Sequence, residues 1–271
     1  MNFLPMPMRL HTRTAFLIMV CSAHVAYAQD GDAISPDRPN VAASSQVVAH
    51  GRVQLEIGAN WDRLRDDDLQ IRTLSTPALL RLGFGDKTEL RVESDGRTIE
   101  HSVDRPTGAR TTTAGWAATA IGFKRRLAEA DSLFPALGLI GRVVLPTGNS
   151  ALRGRGLLPQ VELAAEWDLP KDWSLAVTPG IGRDWDDNGT RFSYAILAAS
   201  LGKKFSEHVQ GFLEVAAPQI ASASHGGNQM QVDVGASWLL NKNCQVDAMV
   251  VRGLNNNTPD LSLAFGLSLR R

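Results

Sequence analysis

Glu89, Arg91 and Glu93 occupy every second position of one short stretch. On an extended chain alternate side chains share a face, so these charges of mixed sign would project together. Glu56, Arg81, Arg142, Glu162, Glu166 and Asp233 sit in the same way at polar positions of otherwise apolar, alternating segments, as do Gln54, Asn60, Glu214, Gln231 and Asp247. Charges of both signs on a sheltered face must pair or be hydrated. Two readings are open. One is a polar constriction that filters solutes, as charged rings do in pores; the other is a structural plug of ion pairs. A second group of reactive side chains lies between these segments: Asp184, Asp186, Asp187 and His225. An acidic residue beside a histidine can activate water, which would make a hydrolase. Against this, no Asp-x-His dyad occurs, His101 and His225 have no partner at an informative spacing, and no serine stands in a nucleophile elbow. Solvated loops are the preferred reading. The acidic clusters lack an ordered calcium-ligand spacing, and neither a metal nor a cofactor is expected.

The elements that carry these charges repeat with a period of two. Val53, Leu55, Ile57, Ala59 and Trp61 alternate with Gln54, Glu56, Gly58 and Asn60; Met230, Val232, Val234, Ala236 and Trp238 alternate with Gln231, Asp233, Gly235 and Ser237. Such alternation is that of strands with one apolar and one polar face. Twelve segments read this way, at 52–62, 76–84, 88–97, 114–126, 134–146, 158–168, 172–183, 191–204, 208–218, 229–240, 244–253 and 260–270. Most are longer than soluble strands and suit a tilted crossing of a bilayer. The connections sort by parity: gaps of 13, 16, 11, 7, 10 and 6 residues alternate with gaps of 3, 7, 3, 3 and 3. Short turns alternating with long loops mark an outer-membrane barrel, and an even strand count brings both termini to the periplasm. The expectation is an all-β, transmembrane, antiparallel up-and-down β-barrel of about 12 strands. Phe84, Trp167, Trp173, Phe205 and Trp238 lie beside the short turns, and Trp61, Trp185, Phe192 and Tyr194 towards the long loops, as two interfacial belts would. Pro179 falls inside a strand and implies a bulge. Phe123-Lys124-Arg125-Arg126 suggests that the embedded part of the fourth segment ends near Phe123.

The rest of the chain bounds where such a barrel would work. Residues 1–28 read as a secretory signal peptide, with Arg9 and Arg13 before the apolar Ala15–Val20 run and Ala26-Tyr27-Ala28 at the cleavage site. Its removal leaves Cys244 as the only thiol, so no internal disulfide can form. Lysine plus arginine equals aspartate plus glutamate at 28 each, which argues against a nucleic-acid partner. No apolar run reaches the length of a spanning helix. Residues 29–50 are too polar and proline-rich for a spanning strand. They either fold into the barrel as a short plug or lie in the periplasm, leaving 51–271 for the barrel.

Pro36-Asp37-Arg38-Pro39-Asn40, followed by Gly51-Arg52-Val53-Gln54-Leu55-Glu56, resembles the opening of the outer-membrane transporters grouped under the phenol-degradation meta-pathway (MetA-pathway) name, with Asp37, Arg38 and Pro39 matching the family's box and Pro36 in place of its threonine. Thr76-Pro77-Ala78-Leu79-Leu80-Arg81, Asp86-Lys87-Thr88-Glu89-Leu90-Arg91, Leu145-Pro146-Thr147-Gly148 and Pro259-Asp260 extend the likeness over about residues 35–270. The chain departs from it at Trp116, where an acidic residue is common, and ends Leu269-Arg270-Arg271 rather than on an aromatic. The resemblance implies an outer-membrane barrel and uptake of hydrophobic or aromatic compounds.

The expected function is therefore passive passage of a small-molecule solute through a narrow charged lumen in the outer membrane of a Gram-negative bacterium. Outer-membrane lipid, lipopolysaccharide and the barrel-assembly machinery would be the other partners. The alternatives are a barrel hydrolase using the rim acids and histidine, or a soluble periplasmic β-protein.

Overall fold

The computed structural model describes residues 33–131, 133–153, 155–186 and 188–271. The expected signal peptide lies outside them. The described residues form β1 (Val53–Arg65), β2 (Leu69–Ser75), β3 (Ala78–Phe84), β4 (Thr88–Ser94), β5 (Arg97–Asp104), β6 (Arg110–Trp116), β7 (Thr119–Ala128), β8 (Ala136–Val144), β9 (Leu158–Leu169), β10 (Trp173–Trp185), β11 (Arg191–Lys204), β12 (Val209–Ile220), β13 (Gln229–Asn241), β14 (Cys244–Gly253) and β15 (Leu261–Arg270). Neighbours pair antiparallel, and β15 returns to β1 from Gln54↔Arg270 to Arg63↔Leu261, which closes the sheet. β2 with β3, β4 with β5 and β6 with β7 are halves of three long strands, so the closed sheet is a 12-strand antiparallel barrel. β1 pairs with β3 over its first half and with β2 over its second.

Those three interruptions correct the sequence reading. It placed loops at 63–75 and 98–113, where β2, β5 and most of β6 run. The breaks fall at Thr76-Pro77, Asp95-Gly96 and Ala117-Ala118. Gly96 has φ of +66°, a conformation that favours glycine. Beyond the breaks both faces carry polar side chains, so the period-two signal fades. There β6 pairs with β5 alone. Its other edge meets the segment after β8: Trp116 N–H donates to Asn149 Oδ1 at 2.5 Å, and Asn149 N–H returns to Trp116 O at 3.0 Å. The fourth strand runs past Phe123, as β7 continues to Ala128 with Lys124 turned inward and fully buried. Pro179 introduces no bulge. The β10–β9 ladder skips Thr178 and Pro179 and resumes at Gly180↔Glu162 in unchanged register, since a missing N–H interrupts a ladder locally without adding a residue.

The distribution of side chains is inverted relative to a protein folded in water. Arg81, Lys124, Glu56, Glu89, Glu214 and Asp233 are fully buried, whereas Ile121, Leu213, Val234 and Phe265 are half exposed or more on the outside. Buried apolar residues are mostly alanines, with Ile34, Val48, Ile140 and Ile196 among the larger ones. A closed sheet pairs every backbone group without an edge, so its outer face can be wholly apolar. In water an apolar exterior of this extent is strongly unfavourable, at about 25 cal/mol per Å² left exposed; against acyl chains it costs nothing. None of the described helices is long and apolar enough to cross a membrane.

Candidate functional site

Alternation on β1, β3, β4, β7, β8 and β9 points Glu56, Arg81, Glu89, Arg91, Glu93, Lys124, Arg142, Glu162 and Glu166 into the barrel. Arg81 is the hub. Its Nε and Nη2 donate to the two carboxylate oxygens of Glu89 at 2.8 and 2.9 Å. Nη1 donates to Glu56 Oε1 at 2.9 Å and to Ser35 O at 2.9 Å, and Nη2 also to Gln46 O at 2.9 Å. All five donors of a guanidinium are thereby used. Arg91 donates to Glu89 at 3.0 Å. Nearer the long loops a second set crosses the lumen: Arg142 reaches Glu93 at 2.9 Å and Glu162 at 3.6 Å. Arg142 passes Gly122 of β7, where a Cβ would stand 3.0 Å from its own Cβ. The nearest atom to such a Cβ would be the Gly141 carbonyl oxygen at 2.5 Å, so only glycine fits at that position.

Residues 34–48 run through the interior on the short-turn side of these pairs and are held chiefly by their backbone amides. Asp37 and Arg38 N–H groups donate to Glu56 at 3.1 and 3.2 Å. Val41 and Ala42 N–H groups each take one oxygen of Glu214 at 2.8 Å. Ala43 N–H reaches Thr178 at 3.1 Å, Ser45 N–H reaches Glu166 at 2.6 Å with its hydroxyl on the same oxygen, and Val48 N–H reaches Glu89 at 2.7 Å. Asp37 adds a charge. It receives Lys124 Nζ at 2.6 Å and Arg91 Nη1 at 2.5 Å, with Arg81 Nη1 at 3.9 Å. Asp233 pairs in register with Glu214 and takes Gln231 Nε2 on both oxygens.

The interior retains space on both sides of this segment. One cavity of about 490 Å³ faces the short turns and is lined by Asp37, Asn40, Glu166, Lys204 and Gln210 among others. Another of about 650 Å³ faces the long loops, lined by Glu93, Asp95 and Arg142 together with Leu79, Val144 and Leu158. Arg38 lines both.

The loop residues behave differently. His225 Nδ1 lies 3.1 Å from Asp186 Oδ2, and its ring stacks on Phe192 with centroids 4.8 Å apart. The fold supplies the partner that no sequence spacing indicated: 39 residues separate the pair, beyond any local motif. The amide of Thr190 and the His225 ring hold the Asp186 carboxyl below its ordinary value. Among the described residues no hydroxyl hydrogen-bonds His225, so the pair closes two loops onto each other. Asp184 accepts from the amide of Trp185, Asp187 lies outside the described residues, and His101 Nδ1 meets Thr112 at 2.9 Å.

Lys124, Ser45 and Thr178 belong to this interior and were missed in sequence. Lys124 was concealed in a basic run; its even spacing from Ala120 and Gly122 was the available signal. Ser45 and Thr178 had none.

A family model described as "Putative MetA-pathway of phenol degradation" matches residues 36–270. The chain belongs to this family. The matched span includes Asp37, Arg38 and Pro39, which lie inside the barrel. Among curated proteins none matches the chain. Among solved structures it resembles the COG4313 outer membrane channel from Pseudomonas putida F1, at 13% identity and a TM-score of 0.61, covering 88% of this chain and 100% of that one. It also resembles the β domain of the Bordetella autotransporter BrkA, at 11% identity and a TM-score of 0.50, covering 80% and 98%. These likenesses establish the barrel fold.

Proposed function

We propose that this MetA-pathway family member is an outer-membrane channel for small solutes, with residues 33–50 as a plug in its lumen and both termini on the periplasmic side. The observation that carries this reading is the pair of cavities inside an apolar-coated barrel, separated by a strand of backbone held through reversible polar contacts. Short turns then face the periplasm and long loops the exterior. Ile57, Leu213, Val234 and Phe265 would meet lipid, and the long loops would meet lipopolysaccharide. Glu93, Arg142 and Glu162 form the outer constriction; Glu56, Arg81, Glu89, Arg91, Glu166 and Asp233 chiefly seat the plug or stand beside its seats. The outer cavity, lined by ionic side chains (Glu93, Asp95, Arg142) and apolar ones (Leu79, Val144, Leu158) together, supports solutes with a hydrophobic body and a polar end, in keeping with the aromatic compounds of the family name.

The test is single-channel recording in planar bilayers of the full barrel and of a variant lacking residues 34–48. The deletion should conduct more than the parent. A deletion variant that inserts as a folded barrel yet stays as closed as the parent, or conducts no solute-sized ions, rejects the channel.

A further inference from the structure

Within the plug, two neighbouring residues are held very unequally. Asp37 is enclosed by three cations, two of them within 2.6 Å. Arg38 leaves the plug on the opposite side and lays its guanidinium on the wall where β1 meets β15. The wall there is two glycines in register, Gly58 and Gly266. A Cβ on Gly58 would stand 2.5 Å from Arg38 Nη2, and one on Gly266 would stand 2.6 Å from Arg38 Nε. The seat exists only because both positions lack a side chain. The contacts made in it are weak. Nη2 donates to Phe265 O at 3.2 Å and approaches Asp247 Oδ1 at 3.7 Å. Arg38 Nε and both Asp247 carboxylate oxygens are buried without a hydrogen-bond partner. Unmade hydrogen bonds of buried charged groups are costly, so this arrangement is poorly held. Arg38 also borders both the inner and the outer cavity.

We infer that the Arg38 side chain is the moving gate of the channel, and that the Gly58–Gly266 seat with Asp247 is its closed position. The plug backbone stays docked through Asp37 and the carboxylates. The guanidinium alone swings off the glycines, which widens the passage beside the docked backbone where Arg38 borders both cavities and leaves a positive charge in it. The gate therefore sets both conductance and ion preference. This inference rests on the channel reading above.

The experiment records conductance and reversal potential for the full-length barrel, Arg38→Ala, Gly58→Ala and the double variant. Amide exchange of residues 41–48 reports whether the plug remains docked. Arg38→Ala should raise conductance about twofold or more and shift the reversal potential towards cation preference, because a fixed positive charge leaves the constriction. Amide protection at 41–48 should be unchanged. Gly58→Ala, whose methyl has the flexible end of Arg38 as its nearest neighbour, should raise conductance when Arg38 is present and change nothing in the Arg38→Ala background. Unchanged conductance in Arg38→Ala overturns the gate. So does a rise accompanied by loss of protection at 41–48, which would mean the plug itself had left, or an equal effect of Gly58→Ala in both backgrounds. These failures are distinct from failure of the channel reading, which the plug deletion tests alone.

Discussion

Replacing Asp37 by alanine should release the plug while leaving the barrel intact. The cluster around it sets three acids, Asp37, Glu56 and Glu89, against three bases, Arg81, Arg91 and Lys124, all with little or no exposure. Removing one acid leaves a buried uncompensated cation, and breaking a buried pair in this way costs about 3–5 kcal/mol. Whether that frees the segment depends on what else holds it. Seven donors of residues 37–48 reach barrel carboxylates within 3.2 Å, on Asp37, Arg38, Val41, Ala42, Ser45 (amide and hydroxyl) and Val48. At about 2 kcal/mol for each charge-assisted bond they contribute about 14 kcal/mol. Ordering the backbone of residues 34–48 costs about 1 kcal/mol per residue, or about 15 kcal/mol. These two quantities offset each other within a few kcal/mol, so the Asp37 cluster supplies the margin that keeps the segment docked. In Asp37→Ala the undocked fraction should rise about 100-fold or more. Hydrogen exchange followed by mass spectrometry reads this directly as faster exchange across 33–50, with exchange in β10–β14 unchanged. Pairing the change with Lys124→Met restores neutrality with a side chain of similar length and should recover part of the protection. Unaltered exchange at 33–50 in the single variant, or a double variant worse than the single, would refute the assignment of Asp37 as the anchor.

Other outcomes follow from the same structure. Val215→Arg places a charge on the apolar outer face of β12 and should destabilise the barrel in lipid by about 2–4 kcal/mol in urea titrations; the Asp37→Ala barrel should show no comparable loss. Unheated protein should migrate differently from heated protein in dodecyl sulfate gels and partition with outer-membrane vesicles, whereas release by osmotic shock would point to the soluble alternative. The Asp186 carboxyl, lowered by the Thr190 amide and by His225, should titrate below the ordinary value of about 4 by carbon NMR. Because its folded value is depressed, its stabilisation of the outer loops is present above the ordinary value and lost as pH falls through the lower one. A midpoint at or above that of a free aspartate would contradict the loop clasp.

How far the sequence could be read follows from where its two faces differ. Between Val53 and Trp61, or Met230 and Trp238, one face meets an apolar medium and the other a polar interior, so the chain alternates and the strands are legible. In β2 and β5 the apolar side chains are few, with Leu69 and Ile71 or Ile99 and Val103 set among polar residues, and β6 has none before Ala114, so the periodic trace is weak. The charged pairs were visible as types and spacings, and β-pairing converted spacing into contact: Arg81 and Arg91 face each other in register, and Glu89 spans between them. The plug was opaque for a different reason. Its amides donate to Glu56, Glu89, Glu166 and Glu214, and an amide donates whatever side chain it carries. A segment docked through its main chain can therefore vary at Val41, Ala42 or Val48 without altering those bonds. The acceptors and Asp37 cannot vary in the same way, since Glu56, Glu89 and Glu214 are fully buried and each would lose amide donors if the segment departed. The docked segment and the acids that hold it are thus one unit, specified by the barrel wall and, within the segment, by Asp37.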